Sequence, residues 1–404
     1  MIQSAEQFAC VIWGGYALGN TGDELCLAAA VERAKAEFGE RVAVLSHRPE
    51  FTEQLFPEVA VIRYMPPKRR RFRLWDRWFG NRRSQLTKPA RNHQAEIHFD
   101  SGSEWVRVLS QARRLYLAGG GYLTDLFPVE LFLPPIQLAA QLNIPVTTAP
   151  LGLGPFKSSR WADRVADVLR QSDLKVRDAS SLAFCQRHGL AAILEPDAAF
   201  ALVRKFPAPA ASANPAARPR KIGVCIHSQA GRNNYFDEAA WWIQCLRGLQ
   251  AQHPECEIEG FCFHTSPEEG FDEMKKLFSQ AGLSPEKVSP PVEDFRRAVA
   301  AIRSYDLIIA TRFHATVVAN AFGIPNLAVA SGDYYLAKMQ AATSGYETAS
   351  RLVNPADFAP GALLDLCRQK LSGHHGRGVP VVEPDNSAAS PTLPKDEPRK
   401  TFGA

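Results

Sequence analysis

A chain of 404 residues is too long for one ordinary hydrophobic core, so two domains of roughly 150 to 200 residues are expected. Its composition, 46% hydrophobic and 22% charged, is that of a globular enzyme, and no apolar run is long enough to span a bilayer. The net charge of +5 is too small to specify a partner. Eight cysteines standing singly, with no C-x-x-C pair, argue against a disulfide or zinc framework and fit reduced thiols in a cytoplasm.

The N-terminus carries no signal-peptide pattern, because Glu6 interrupts it and Phe8 to Trp13 already reads as a first strand. That strand runs into Gly14-Gly15-Tyr16-Ala17-Leu18-Gly19-Asn20-Thr21-Gly22-Asp23-Glu24, followed by a helix to about residue 37. Glycines at such a turn let the backbone approach a ligand, and Thr21 or Asp23 is expected to cap the helix. The spacing matches neither a dinucleotide nor a P-loop fingerprint. A second glycine cluster, Ala118-Gly119-Gly120-Gly121-Tyr122-Leu123-Thr124-Asp125, again follows a strand, and two such turns on one sheet predict a single binding rim.

Between them, from Arg63 to Arg91, eleven Lys or Arg residues face one acid, Asp76, with Phe72, Trp75, Trp78 and Phe79 interleaved. This basic insert, bounded at 63–93, suits a peripheral contact with an anionic membrane surface or a lipid-linked acceptor. Nothing else resembles a nucleic-acid module, so nucleic acid is not expected as a partner.

Residues 204–220, rich in Pro and Ala, read as a linker, and 372–404 as a disordered tail. Strands are predicted near 8–13, 41–45, 115–118, 145–149, 173–177 and 192–194, then 221–226, 257–263, 306–310 and 326–330. Helical patterns separate them. This alternation predicts an α/β protein of two Rossmann-like doubly wound domains facing a cleft, 1–203 and 221–371. In the second, the apolar run Leu307 to Ala310 ends at Thr311-Arg312-Phe313-His314, where a helix begins. A guanidinium and an imidazole at a strand-to-helix junction suggest an anionic ligand, since helix N-termini and strand carboxyl ends favour one.

Several segments together resemble the polysaccharide pyruvyl transferase family: G-N-T-G-D-E, A-G-G-G-Y-L-T-D, L-G-L-G-P-F, K-V-R-D-A-S-S, E-P-D-A-A-F and T-R-F-H-A-T-V-V-A-N-A-F-G-I-P. They run in order from about Val11 to about Met339. The resemblance implies a GT-B-like fold and transfer of an enolpyruvyl group from phosphoenolpyruvate to two sugar hydroxyls as a cyclic ketal, releasing phosphate. The acceptor would belong to a cell-surface polysaccharide or its lipid-linked precursor, and the enzyme would be cytoplasmic, with a peripheral contact at the inner membrane face.

The family's R-x-H element contacts phosphoenolpyruvate, which maps here onto Arg312 and His314. Lys338, with Tyr334, occupies the region where relatives place donor-contacting Lys and Tyr. An Arg fork matches a phosphate or carboxylate bidentately. His314 would supply a proton or stabilise phosphate, and Asp23 or Glu24 would take a proton from the sugar. The acceptor is expected along Gly19, Asn20, Gly22, Asp23, Glu24, Gly119, Gly120, Gly121 and Arg177. Asp197 is weighed equally as structural or functional, as is an Arg177–Asp178 pair fixing its turn.

One departure stands out. Relatives often end the first strand of the second domain with an Arg, whereas here that strand ends at His227 and the nearest arginine is Arg232. Both are expected at the donor. No metal or cofactor is expected beyond phosphoenolpyruvate as co-substrate. The alternatives are a nucleotide-sugar glycosyltransferase of GT-B type and a non-catalytic relative.

Overall fold

The computed structural model describes residues 8–66, 99, 102–207, 219–227, 238–267 and 270–372. Most of the basic insert, most of the Pro/Ala-rich stretch, Arg232 and the tail after residue 372 therefore lie outside the described residues.

The first half contains β1 (Cys10–Trp13), β2 (Val42–Ser46), β3 (Ala60–Arg63), β4 (Leu115–Leu117), β5 (Gly120–Leu123), β6 (Val146–Thr148), β7 (Leu151–Leu153), β8 (Leu174–Val176) and β9 (Ala192–Leu194). They build two parallel sheets, in the orders β3-β2-β1-β4-β6 and β5-β7-β8-β9. Its helices are α1 (Thr21–Phe38), α2 (Pro49–Leu55), α3 (Glu104–Ser110), α4 (Leu133–Gln141), α5 (Ser159–Leu169), α6 (Ala179–Arg187) and α7 (Ala198–Arg204). The second half has β10 (Lys221–Cys225), β11 (Glu257–Gly260), β12 (Leu307–Ala310), β13 (Asn326–Val329) and β14 (Ser350–Val353), in the order β11-β10-β12-β13-β14. Its helices are α8 (Glu238–Gln252), α9 (Phe271–Ala281), α10 (Phe295–Ile302), α11 (Phe313–Ala321), α12 (Asp333–Thr343) and α13 (Pro360–Ser372).

Every pairing within these sheets is parallel. Parallel sheets are covered on both faces, which is why β1, β2, β4 and β12 are unbroken apolar or small-residue runs with every position buried, as is β13 after its buried Asn326. Among the described residues no helix is long and apolar enough to cross a membrane.

Strand order fixes where a ligand sits. In the first sheet the order reverses between β1 and β4, and in the last between β10 and β12. Open α/β sheets bind ligands outside the carboxyl ends of strands at such switch points. Gly14 to Gly22 follow β1 and Ala118-Gly119 follow β4; His227 lies beyond β10, and Arg312 beyond β12. The two switch points face each other. The Gly19 carbonyl accepts from the Thr265 N–H (2.7 Å), the Thr21 N–H donates to the Phe263 carbonyl (3.3 Å), and Asn20 bridges His264 antiparallel.

The glycine cluster at 119–121 is not the turn expected at a strand end. The chain passes from β4 directly into β5, as it does from β6 into β7, so the first lobe carries a second, four-stranded sheet. Short strands containing glycine give little alternation to read, which is why β5 and β7 escape the sequence pattern. The helix α7 is likewise only seven residues, and it precedes the Pro/Ala-rich stretch.

Helix α11 is buried at all nine positions, from Phe313 to Ala321. A helix apolar on every side belongs in the interior. Asn320 locks it there by donating to the Ala342 carbonyl (2.7 Å) and accepting from Asn326 Nδ2 (2.7 Å), while Ser350 Oγ donates to Asn326 Oδ1 (2.6 Å). The position of His314, one residue into this helix, is therefore set by the core.

Candidate active site

The first turn of α1 forms one wall. Asn20, rather than Thr21 or Asp23, is its N-cap: Oδ1 accepts from the Gly22 N–H at 3.1 Å. Its Nδ2 donates to Asp23 Oδ2 at 2.8 Å, which leaves Asp23 inside the turn, beside Gly120. Asp23 is half-buried, and burial raises its pKa against the opposing charges of His314, Lys338 and Arg177 and the Asn20 amide.

Glu24 points elsewhere. It is buried, and Oε1 accepts from the Ala17 N–H (2.6 Å), holding that residue at φ 60°. Burial pushes its carboxyl up to about 8, with the Ala17 N–H opposing. A carboxyl whose folded-state pKa is raised this way loses stability as pH climbs from about 4.5 to about 8, because only the unfolded chain ionises freely there. Glu24→Gln keeps an acceptor for Ala17 and removes the ionisation. The variant is expected to lose this part of the pH dependence and to melt no lower than wild type at pH 8, as thermal scans at pH 5 and pH 8 would show.

Arg177, at the end of β8, is the deepest cation, its side chain 3% exposed. NH1 donates to Asp197 Oδ2 at 2.9 Å, and Asp178 lies 3.9 Å from Nε. Gly121 and Gly152 form its slot, since a Cβ at either would lie 3.0 Å from the guanidinium. The ring of Phe313 covers it, 4.2 Å from Cζ to the centroid. Gly121 of the expected rim thus serves an arginine, together with Gly152. Asp178 caps α6, accepting from the Ser181 N–H (2.7 Å).

The opposite wall is α11. Arg312 is its N-cap residue in extended backbone, half-buried, and its charge bears on Lys338, His264, Cys262 and Cys225. Thr311 Oγ1 accepts from the His227 N–H at 2.7 Å, so His227 is held beside the Arg312 turn. His314 is buried between the two lobes. Its Nε2 lies 3.5 Å from Cys26 Sγ and 3.7 Å from Asp197 Oδ2, and its Nδ1 edge packs on Gly22, where any Cβ would overlap the ring. Lys338, on α12, places Nζ 5.8 Å from the centroids of Phe313 and Tyr334. Burial and Arg177 lower its pKa to about 8, with Arg312 adding and Asp23 opposing.

The structure thus draws Asp23, Arg177, His314 and Lys338 around one junction, with Arg312 and His227 at its edge. Such a grouping of cations suits an anion. Cys26, Asp197 and His314 bring a sulfur, an oxygen and a nitrogen within 4.8 Å of one another, the donor set of a metal site. The fit is poor, because Arg177 already occupies Asp197 and the Lys338 charge is directed at the same ground. A cavity of about 500 Å³ between α1 and α7 touches the far side of Asp197, lined by Arg33, Tyr116, Glu195 and Lys205.

Cys26, Phe313 and His264 are neighbours that sequence reasoning missed. Cys26 lies one turn after Asp23 on α1, a spacing that was legible. His264 follows β11 at another strand carboxyl end; burial and Arg312 depress its pKa to about 3, and its Nδ1 accepts from the Ser266 N–H at 3.0 Å.

Comparisons with known proteins bear on this arrangement. A family model described as polysaccharide pyruvyl transferase matches residues 20–334. A search of curated proteins finds no match. Similar solved structures include UDP-GlcNAc 2-epimerase from Neisseria meningitidis bound to UDP-GlcNAc, at 10% identity and TM-score 0.54, covering 90% of this chain and 91% of that one. The S. aureus MnaA–UDP structure is another, at 12% identity and TM-score 0.53, covering 90% and 88%. At such identities the likeness is one of fold, a GT-B-like pair of α/β lobes.

Proposed function

The chain belongs to the polysaccharide pyruvyl transferase family, and we propose that it moves an enolpyruvyl group from phosphoenolpyruvate onto two hydroxyls of a glycan, or of its lipid-linked precursor, as a cyclic ketal. The observation that carries this reading is the convergence of Arg312, His314, Lys338 and Arg177 with Asp23 where the lobes meet. Phosphoenolpyruvate brings a phosphate and a carboxylate, which such cations hold and orient.

Addition of a proton to the methylene carbon gives an oxocarbenium-like centre, which the first sugar hydroxyl attacks as its proton leaves. The C–O bond to phosphate then breaks. A second hydroxyl attacks the new oxocarbenium and closes the ring. Of the two hydroxyl protons released, one balances the proton now on the methyl group and the other departs with phosphate. His314 supplies the carbon-bound proton, Arg312 with the N-terminus of α11 stabilises the leaving phosphate, and Asp23, its pKa raised by burial, accepts a sugar proton. His227 borders the donor, and Arg177 holds the wall against which the acceptor lies.

Incubation of the full chain with phosphoenolpyruvate and a panel of glycosides tests the reading. Phosphate release matched by ketal product is expected. Release of a nucleoside diphosphate from a sugar nucleotide, with no turnover of phosphoenolpyruvate, would contradict it.

Lys338 makes the donor step depend on pH. In the free enzyme its ammonium is lost as pH rises through about 8. The KM for phosphoenolpyruvate is therefore expected to rise about tenfold above that pH, the worth of one charge-assisted contact. Lys338→Arg keeps the charge and should flatten the rise; an unchanged slope in that variant would remove Lys338 from the donor site.

A further inference from the structure

Asp197 sits at the N-terminus of α7, far in sequence from His314. Its Oδ1 accepts from the Ala199 N–H at 3.0 Å, which caps the helix. Its Oδ2 is shared: Arg177 NH1 lies 2.9 Å away and His314 Nε2 3.7 Å away. All three side chains are buried. The carboxylate thus faces the imidazole from the first lobe, while Gly22 closes the Nδ1 edge and Phe313, at 5.0 Å between ring centroids, stands perpendicular beside it.

We infer that Asp197 is a positioning residue for the reaction proposed above. Its carboxylate, anchored by Arg177 and the Ala199 N–H, fixes the rotation of the His314 ring and favours a proton on Nε2. A cap alone needs one oxygen, and an Arg partner could be met in water. A buried carboxylate shared between a buried guanidinium and a buried imidazole is what holding a ring in one orientation requires. The inference rests on the proposed function only for its kinetic consequence.

The other charged or titratable groups around His314 are Asp23 and Cys26 from α1, Arg177 from β8, Lys338 from α12 and the neighbouring Arg312. Burial, reinforced by Asp197 and Asp23, pushes the Cys26 thiol far up, so it stays protonated and contributes no charge. Burial also raises the Asp197 pKa, but His314, Arg177 and the Ala199 N–H outweigh it and hold the carboxyl well below the usual range. The negative charge facing Nε2 is therefore present at every working pH.

Asp197→Asn separates positioning from capping, because its single amide oxygen still accepts from the Ala199 N–H, while a donor-only NH2 replaces the oxygen shared by Arg177 and His314. The expected result is a fall in kcat of roughly 10²-fold, at the low end of what a positioned acid–base group supplies. The KM for phosphoenolpyruvate should change less than about threefold, with a displaced pH–kcat profile. Asp197→Glu, which restores the charge one methylene away, should recover part of kcat. Nitrogen-15 NMR of the His314 ring in the ligand-free protein is the readout independent of turnover: the Nε2 and Nδ1 signals should change in Asp197→Asn.

Wild-type kcat, pH profile and ring signals in Asp197→Asn would overturn the inference while leaving the pyruvyl transferase reading intact. A wild type that makes no ketal would sink that reading, and the ring signals alone would then decide the role of Asp197. Where Asp197→Asn does not fold, Asp197→Glu is judged by the same signals.

Discussion

Alanine at His314 or Arg312 is expected to reduce ketal formation by about 10³-fold or more, with different kinetic signatures. His314→Ala removes the proton source, and a positioned acid supplies about 10²- to 10⁴-fold. The loss should fall on kcat. Arg312→Ala removes a fork matched to phosphate or carboxylate, so KM for phosphoenolpyruvate should rise as kcat falls. The two side chains differ in burial, which matters for controls. Arg312 is half-buried, and its truncation should leave the melting temperature nearly unchanged. His314 is buried among α1, α7 and α11, so its truncation leaves a void of the kind that costs about 2 kcal/mol or more. His314→Gln fills much of that space and serves as the folded comparison. Wild-type turnover in either Arg312→Ala or His314→Gln would remove that residue from the chemistry.

The second large effect is expected where no functional group exists. Gly22 lies in the first turn of α1, and its missing side chain is the space occupied by the His314 imidazole. Gly22→Ala would force the ring, or the start of α1, to move. The ring is fixed by a helix whose every residue is buried, and the start of α1 is tied to Phe263 and Thr265 across the junction. Neither yields cheaply, so the two lobes should part slightly. Displacement of a reacting group by about 1 Å is enough for a 10²-fold loss, and overpacking costs about 1–3 kcal/mol. Gly22→Ala should therefore lose activity by roughly 10²-fold and melt lower. Gly361→Ala is the control, since a Cβ there meets nothing within 4 Å. Full activity in Gly22→Ala would mean that His314 need not occupy its observed place.

Much of the fold could be read from the residues because parallel strands are written as unbroken apolar runs. Cys10–Trp13, Leu307–Ala310 and Asn326–Val329 lie within about two residues of their expected bounds. Their carboxyl ends led directly to Arg312, His314 and the loop around Asn20. What stayed hidden depends on contacts between distant segments. Gly121 reads as part of a ligand-facing turn, yet it and Gly152 leave room for Arg177, which nothing local to them announces. The partner of Arg177 is chiefly Asp197, twenty residues on, rather than the adjacent Asp178. The orientation of Glu24 toward Ala17 likewise follows from a loop closing on itself. Helices α7 and α12 and strand β14 escaped because their apolar positions are shared with long neighbours rather than arranged in a period of their own. Arg232 and residues 67–98, with their Trp and Arg side chains, lie outside the described residues.

The most direct test of the whole account is a crystal structure of the protein with phosphoenolpyruvate bound. The phosphate is expected within hydrogen-bond reach, about 3 Å, of the Arg312 guanidinium, with the methylene carbon facing His314 across from Asp23. Donor density seated away from both Arg312 and His314, for instance in the cavity between α1 and α7, would contradict it.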